Sequence, residues 1–359
     1  MNKPLNSVLF THDDLDGAGC RIVYSLAFLG AYDPAEWKVF NCSNSNVDEV
    51  VTKAIEDELI DPHTDVYFGD ICCSRELLEK LVWTQKCTGA VRVFDHHRTN
   101  FWAEMVCGQS DNSYATIVPE DEFKTMQSGT SLLYQYFSQL AIRNPKDKLG
   151  YYFREGNAGV PLLARLVDTI RAYDTWEWKE TGNLGAKELQ TLFFLLGMDR
   201  FCERYISRVA NYAVEAVAAS PDKVDSLITK NDKEFVDARM ENEQKRIDKF
   251  SIDDVIMCYV RGLRTAFAIN TTGMNVSELG NQFLTKHPEI DMFAAFSLAD
   301  NGTYSFRCIC DDLNTGEMIA KPIGGGGHPK ASGAPLDKEI LDTIADMLIA
   351  NLNGNTFRI

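Results

Sequence analysis

At 359 residues the chain exceeds what one hydrophobic core usually holds, so two domains, or one domain with an elaborate addition, are expected. Its 45% apolar and 25% charged residues are those of an ordinary soluble globular protein. Asp and Glu outnumber Lys and Arg by 52 to 36, and the formal charge of −16 disfavours charge-driven binding of long nucleic acid; a short or single-nucleotide substrate, held by a few local cations or metal ions, stays open.

Taken in chain order, the first half alternates short β-rich runs with longer helix-like stretches. Val8 to Thr11, Val39 to Cys42, Val66 to Gly69 and Val91 to Phe94 read as strands, and strands spaced by helices imply a parallel, doubly covered sheet. Between the first two, Ile22, Val23, Leu26 and Leu29 recur near helical period and Gly30 supplies a stop, which completes a βαβ unit. Pro161 to Trp178 and Leu184 to Leu196 read as helices. Phe201 to Phe250 reads as a mostly helical connector with solvated charged faces, broken at Pro221. After Ser251, strands are expected over Val255 to Val260, Thr265 to Ile269, Met292 to Leu298 and Tyr304 to Ile309. The last two join across Asp300, Asn301 and Gly302, and helices cover Ser277 to Lys286 and Asp337 to Leu352.

Acidic residues and histidines stand at the strand ends: His12-Asp13-Asp14-Leu15-Asp16-Gly17 after the first, Asp70 after the third, Asp95-His96-His97 after the fourth. In a parallel α/β sheet these carboxyl ends line one edge, so the clusters should converge on one crevice. If the chain stays extended through the first cluster, His12, Asp14 and Asp16 share a side and Asp13 turns away. Closely packed carboxylates need cations to ionise together, and mixed imidazole and carboxylate donors suit a divalent metal of the manganese or iron type. Two metals need a shared ligand, for which Asp70 is the natural bridge. Ser128-Gly129-Thr130-Ser131 opens a helix and either caps it or receives an anion, capping being favoured. Arg98 either clamps a phosphate or forms a surface ion pair. The ten cysteines have no disulfide-like or paired C-x-x-C spacing and the N-terminus no long apolar run, so small buried thiols and a reduced, cytoplasmic compartment are expected.

Together with Gly324-Gly325-Gly326-Gly327-His328-Pro329-Lys330-Ala331-Ser332-Gly333 near the C-terminus, these motifs resemble, in order and spacing and over nearly the whole chain, the DHH phosphoesterase superfamily with its DHHA1 C-terminal domain. The opening His-x-Asp-Leu-Asp-Gly is similar to an oligoribonuclease branch. The resemblance implies an α/β protein: a parallel-sheet DHH domain over 1–200, the helical connector over 201–250, and a smaller α/β DHHA1 substrate-binding domain with mixed sheet over 251–359. It implies that His12, Asp14 and Asp70 hold one metal, and Asp16, Asp70, His96 and a further Asp the other. That further ligand is Asp174, with Asp168 as second choice. His97 would contact the scissile phosphate, with Asp95 behind it orienting a histidine ring; Arg307, His328 and Gly324 to Gly327 would bind substrate.

The activity implied is two-metal hydrolysis, with Mn2+, of short oligoribonucleotides to mononucleotides. The alternatives are a cyclic or linear dinucleotide, or a 3′,5′-bisphosphate nucleotide, as substrate; a non-catalytic nucleotide sensor is the reading from another class. An inorganic pyrophosphatase is disfavoured because its Ser-Arg-Lys-Lys type signature is missing. The partners expected are a short RNA or nucleotide and a second copy of the chain, with no membrane.

Overall fold

Strand-forming runs and helical runs alternate in the computed structural model as the periodicity predicts; it describes residues 4–84, 89–118, 126–212, 226–269, 274–297 and 302–352. The chain divides into two compact units, Met1–Met240 and Glu241–Ile359.

In the first unit the expected strands form as β1 (Ser7–His12), β2 (Trp37–Cys42), β3 (Asp65–Gly69) and β4 (Val91–Asp95). A fifth, β5 (Tyr114–Ile117), is absent from the sequence reading. They make one sheet in the order β2-β1-β3-β4-β5, every pair parallel. Successive side chains feed opposite layers. Val8, Phe10, Val66, Phe68, Val91 and Val93 pack with α2 (Val47–Glu56), α3 (Arg75–Thr84) and α4 (Trp102–Cys107). Leu9, Tyr67 and Phe94 pack on the other face with α1 (Leu15–Phe28), α5 (Gly129–Arg143) and α6 (Val160–Asp174). Each fully buried Leu, Val or Phe adds roughly 1.5–3 kcal/mol, so the strand ends are carried on a rigid frame.

Two helical expectations are revised. The run Pro161 to Trp178 is broken: α6 ends at Asp174, Trp176 takes φ 62°, and the short α7 (Glu177–Thr181) follows. The next helix, α8 (Leu184–Ala210), continues past Leu196 through a kink at Gly197 (φ 72°, ψ 167°), a conformation open mainly to glycine. Its later residues Phe201, Cys202, Tyr205 and Val209 are core, so this start of the Phe201 to Phe250 stretch is not a solvated face. Pro221 lies outside the described residues. The stretch ends in α9 (Lys230–Lys249).

The second unit has β6 (Val255–Val260), β7 (Leu263–Ile269), β8 (Met292–Ser297), β9 (Thr303–Arg307), β10 (Gly326–Gly327) and β11 (Ala331–Pro335), in the order β10-β11-β9-β8-β7-β6. β7 and β8 are parallel and the other neighbours antiparallel, which makes the sheet mixed. β10 and β11 escape the sequence reading because they are built of glycine, alanine, serine and proline, which carry no strand signal. Ser297 lies opposite Thr303, as a hairpin requires, although Asp300 and Asn301 lie outside the described residues. α10 (Val276–Lys286) packs Leu279, Phe283 and Leu284 on one sheet face, and Ile319 and Ala320 cover part of the other. The chain then enters α11 (Lys338–Leu352). The described cysteines are free and most are buried, Cys72, Cys73 and Cys308 among them, with Cys310 exposed. No described helix is long and apolar enough to cross a membrane.

Candidate metal centre

With β1 between β2 and β3, the order of the parallel sheet reverses there, and the crevice at that reversal lies outside the carboxyl ends of the strands. His12 is the last residue of β1, Asp70 follows β3, Asp95 ends β4, and His96 and His97 come next. The expected clusters therefore do meet, but the first of them gets there by a different route. The chain is not extended from His12 to Asp16: Asp14 is the N-cap of α1, accepting a hydrogen bond from the Gly17 amide at 3.0 Å, and Asp16 stands in the first helical turn. Asp13 is exposed, its Oδ1 3.7 Å from His12 Nε2.

The helix start puts the donors in two groups. His12 Nδ1 lies 2.8 Å from Asp14 Oδ2 and 3.9 Å from Asp70 Oδ2. His96 Nε2 lies 3.3 Å from Asp70 Oδ1 and 3.0 Å from Asp174 Oδ2. Asp16, His96 and Asp174 offer donor atoms within 4.8 Å of one another, as do His12, Asp14 and Asp70. Asp70 thus presents one carboxylate oxygen to each group. It does so from φ 60°, a left-handed conformation that aspartate tolerates better than most residues.

Neighbouring side chains fix these carboxylates from behind. Thr130, in the first turn of α5, gives its amide to Asp16 Oδ1 at 3.2 Å and its hydroxyl to the Asp16 carbonyl at 2.6 Å. Ser128 caps the same helix in a reciprocal box with Ser131, so this N-terminus does both things the sequence left open: it is capped, and the anion it receives is the protein's own Asp16. A Cβ on Gly129 would fall 2.6 Å from the Asp70 amide nitrogen, which leaves room only for glycine beside the central aspartate. The sequence reading assigned no such role to Gly129 or Thr130, and the local hydroxyl-glycine run signals only a cap. Asp95 Oδ1 accepts from the amides of His96 and His97 and from His97 Nδ1 at 2.7 Å, and Oδ2 from Asn100 at 2.6 Å. The ring it orients is therefore that of His97, and its filled oxygens make it a poor ligand itself.

Burial and crowding act on every charge here. Burial, then Asp16 and Asp14, push the Asp70 carboxyl well above the usual range; burial and Asp174 push Asp16 up to about 6. Burial opposes charge on His12, but Asp14, Asp13 and Asp174 outweigh it and raise the imidazole to about 9. His96 is likewise raised, by Asp174 and Asp70 against burial. Asp14 and Asp95 go the other way: burial is overcome by His12 and by His97 respectively, and both carboxyls are held below their usual range.

Asp16, Asp70, His12 and His96 thus bind protons more tightly in the folded, metal-free protein than in the unfolded chain. Their stabilisation is complete below the unfolded values, 3.8 for the aspartates and 6.5 for the histidines, and is lost as pH rises through the folded ones. Asp14 and Asp95 are ionised in both states above pH ~5 and add no slope. Chelated protein should therefore melt at falling temperature from about pH 4 to about pH 9, while divalent ions, displacing those protons, should flatten or reverse the trend. Thermal melts with and without chelator across that range check this; a chelated midpoint that climbs with pH contradicts it.

The residues fit a pair of divalent cations on their own chemistry. Asp70 Oδ1 and Asp174 Oδ2 are buried and accept no hydrogen bond among the described residues, yet both point toward the His96 ring. An oxygen left so costs free energy unless a cation meets it. The set is nitrogen and oxygen without sulfur, which suits hard or borderline ions.

The remaining expected residues sort as follows. Asp168 points away on α6 and pairs with Arg171 at 2.8 Å. Arg98 is exposed and opens a short 3-10 turn. In the second unit, Arg307 donates to Ser277 Oγ at 2.6 Å and to the Phe306 and Ser332 carbonyls at 2.7 and 3.2 Å. Gly326 and Gly327 form β10 against β11, and the His328 amide donates to the Ala331 carbonyl at 2.8 Å to close the hairpin. A Cβ on Gly325 would fall 2.1 Å from the Gly333 carbonyl oxygen, so part of the glycine run serves the approach of the unit's own backbone. Gly324 takes φ 79° with open space around its Cβ position.

No family model matches the chain. Oligoribonuclease NrnB of Bacillus subtilis (strain 168) is 28% identical to it over 334 residues, 93% of this chain and 74% of that protein. Among solved structures, the DHH domain of a member of the s1p family of ribosomal proteins is similar with a TM-score of 0.54 and 16% identity, covering 96% of this chain and 86% of that one. RecJ of Thermus thermophilus, in complex with Mn2+, has a TM-score of 0.46 and 13% identity over 98% of this chain and 53% of its own. The fold of the first unit is that of a DHH domain, with carboxylates and histidines gathered at its strand ends. The chain resembles the DHH/DHHA1 superfamily, and within it the NrnB oligoribonuclease.

Proposed function

We propose that the protein is a two-metal, manganese-dependent phosphodiesterase that hydrolyses short oligoribonucleotides to mononucleotides. The observation that carries this reading is the placement of the two Asp70 oxygens, one toward His12 and one toward His96, since a carboxylate shared in this way is what a pair of adjacent cations needs. His12, Asp14 and Asp70 would hold one ion, and Asp16, Asp70, His96 and Asp174 the other. When bound, the ions supply an activated water and polarise the phosphoryl group it attacks.

The chain's own residues do the rest. Asp95 would fix the His97 ring through Nδ1 and leave Nε2 for substrate; with both ring nitrogens protonated, Nε2 would donate to a non-bridging phosphate oxygen, where charge grows in the transition state. Arg98, directly after it and exposed, would meet the same phosphate or its neighbour. The second unit contributes nucleotide binding through His328 and the glycine run, with Gly324 giving a backbone turn no side chain obstructs. Arg307 then acts as a strut for that loop, because its donors already hold Ser277 and the Ser332 carbonyl of β11. A short substrate suits a chain of net charge −16, since only a few phosphates have to be neutralised.

Purified protein incubated with Mn2+ and end-labelled di- to pentaribonucleotides should release mononucleotides and should stop when chelator is added. Intact substrates would overturn the reading, and a panel including cyclic dinucleotides and a 3′,5′-bisphosphate nucleotide would show whether another phosphoester is turned over faster.

A further inference from the structure

We infer that Arg171 is a positioning residue for one half of the metal centre: its guanidinium ties together the two chain segments that deliver Asp16 and Asp174, and so governs uptake of the cation those carboxylates face. The inference rests on the reading above that the centre holds a pair of cations. Arg171 lies on α6, three residues before Asp174, with 17% of its side chain exposed. Nη1 donates to Glu177 Oε2 at 2.6 Å and to the Met126 carbonyl at 3.2 Å. Nη2 donates to Glu177 Oε1 at 3.2 Å and to Asp168 Oδ1 at 2.8 Å, and Nε to Asp168 Oδ1 at 3.2 Å. A guanidinium has five N–H donors, and these bonds use them all. None is left for a substrate, so the group is a strut rather than a phosphate ligand.

What it braces are the approaches to two carboxylates. Asp174 is the last residue of α6, and the Thr175 amide and hydroxyl both return to the Arg171 carbonyl, at 3.0 and 2.9 Å. Trp176 then turns the chain at φ 62°, a strained conformation for a bulky residue that persists only where its neighbours hold it. Glu177, gripped through both carboxylate oxygens, is the next residue and pins that turn. The grip on Met126 acts on the other carboxylate. Met126 lies two residues before Ser128, the cap of α5, and the first turn of α5 gives the Thr130 amide to Asp16 Oδ1. Asp16 and Asp174 form one donor group with His96. His12 and Asp14 are placed instead by the end of β1 and the cap of α1, which none of these bonds reaches. Asp168, 70% exposed, is the outermost anchor, and its loss leaves the other two grips in place. Lysine could not stand in for this arginine, since an ammonium lacks the planar fork that meets both Glu177 oxygens while reaching Met126.

Titration of the full chain with Mn2+, the free ion followed by its electron paramagnetic resonance signal, should give two ions per wild-type chain. Arg171→Met keeps the apolar stem and removes the fork. One ion, the same one that Asp174→Ala weakens, should then bind about 10–100-fold less tightly, with the other within about twofold of wild type. Arg171→Lys should recover only part of the loss. Glu177→Gln keeps the side-chain shape and drops the charge that Arg171 grips, which gives a reading that does not depend on Arg171→Met folding. It should weaken the same ion by less, and adding it to Arg171→Met should cost nothing further, because both remove one contact. A general loosening of the fold would weaken both ions together, so equal loss at both overturns the inference. So does wild-type affinity for both ions in Arg171→Met and Glu177→Gln. A wild-type chain that takes up fewer than two ions overturns the reading of a cation pair itself, and this inference with it.

Discussion

Asp70→Asn should abolish hydrolysis, lowering kcat by at least about 10³-fold while leaving the protein folded. Asparagine keeps the side-chain shape and tolerates the φ of 60° at this position, so the backbone that carries His12 and His96 is not forced to move. What is lost is one charge and one of the two oxygens that face the donor groups. Alanine would be a poorer test, because it adds left-handed strain to the loss of ligand. Titration of the variant with Mn2+ should show weakened uptake at both positions, which separates a shared ligand from a residue serving one ion only. Asp174→Ala should also impair turnover through its contact with His96, whereas Asp168→Ala removes only an ion pair with Arg171 and should leave rates within about twofold. Full activity in Asp70→Asn, or equal effects at Asp168 and Asp174, would break the assignment.

The choice between those two aspartates shows what could be read from sequence. Helical phase says that residues six apart cannot face the same way, and α6 is unbroken from Val160 to Asp174, so the argument holds. The strands carrying His12, Asp70 and Asp95 were legible because β-branched and aromatic runs end abruptly in charged residues. β5 was not: Tyr114, Ala115 and Thr116 are half-buried at a sheet edge and give little alternation. The first motif has a different geometry from the one its spacing suggests, since a period of two was extended across a helix N-cap that only the Gly17 amide reveals. Contacts between distant segments, such as Thr130 with Asp16 and Gly129 with Asp70, leave no local pattern at all. The glycine run had a sound physical reading, close backbone approach, but sequence cannot say that β11 is one of the things approached.

Gly17→Ala, a single methyl group, should be among the most destabilising substitutions in the chain. A Cβ at this position would lie 1.9 Å from the carbonyl oxygen of His12 and 2.4 Å from its carbonyl carbon. Both are backbone atoms at the end of a buried strand, so no side chain can rotate away. Thr11 holds the spot from below, its hydroxyl donating to the Gly17 carbonyl at 3.1 Å or the Gly69 carbonyl at 3.0 Å. Relief requires α1 to shift along the sheet, and α1 is packed against α5 and α8 as well as β1. Overpacking of this kind costs about 3 kcal/mol or more, which for a unit of this size corresponds to a fall in melting temperature of roughly 6–12 °C. The shift would also carry Asp14 and Asp16, on the cap and first turn of α1, away from His12 and Asp70. Metal uptake should therefore fail in the fraction that still folds. A variant with wild-type melting temperature and metal affinity would show that the strand and helix do not meet as tightly as these distances require.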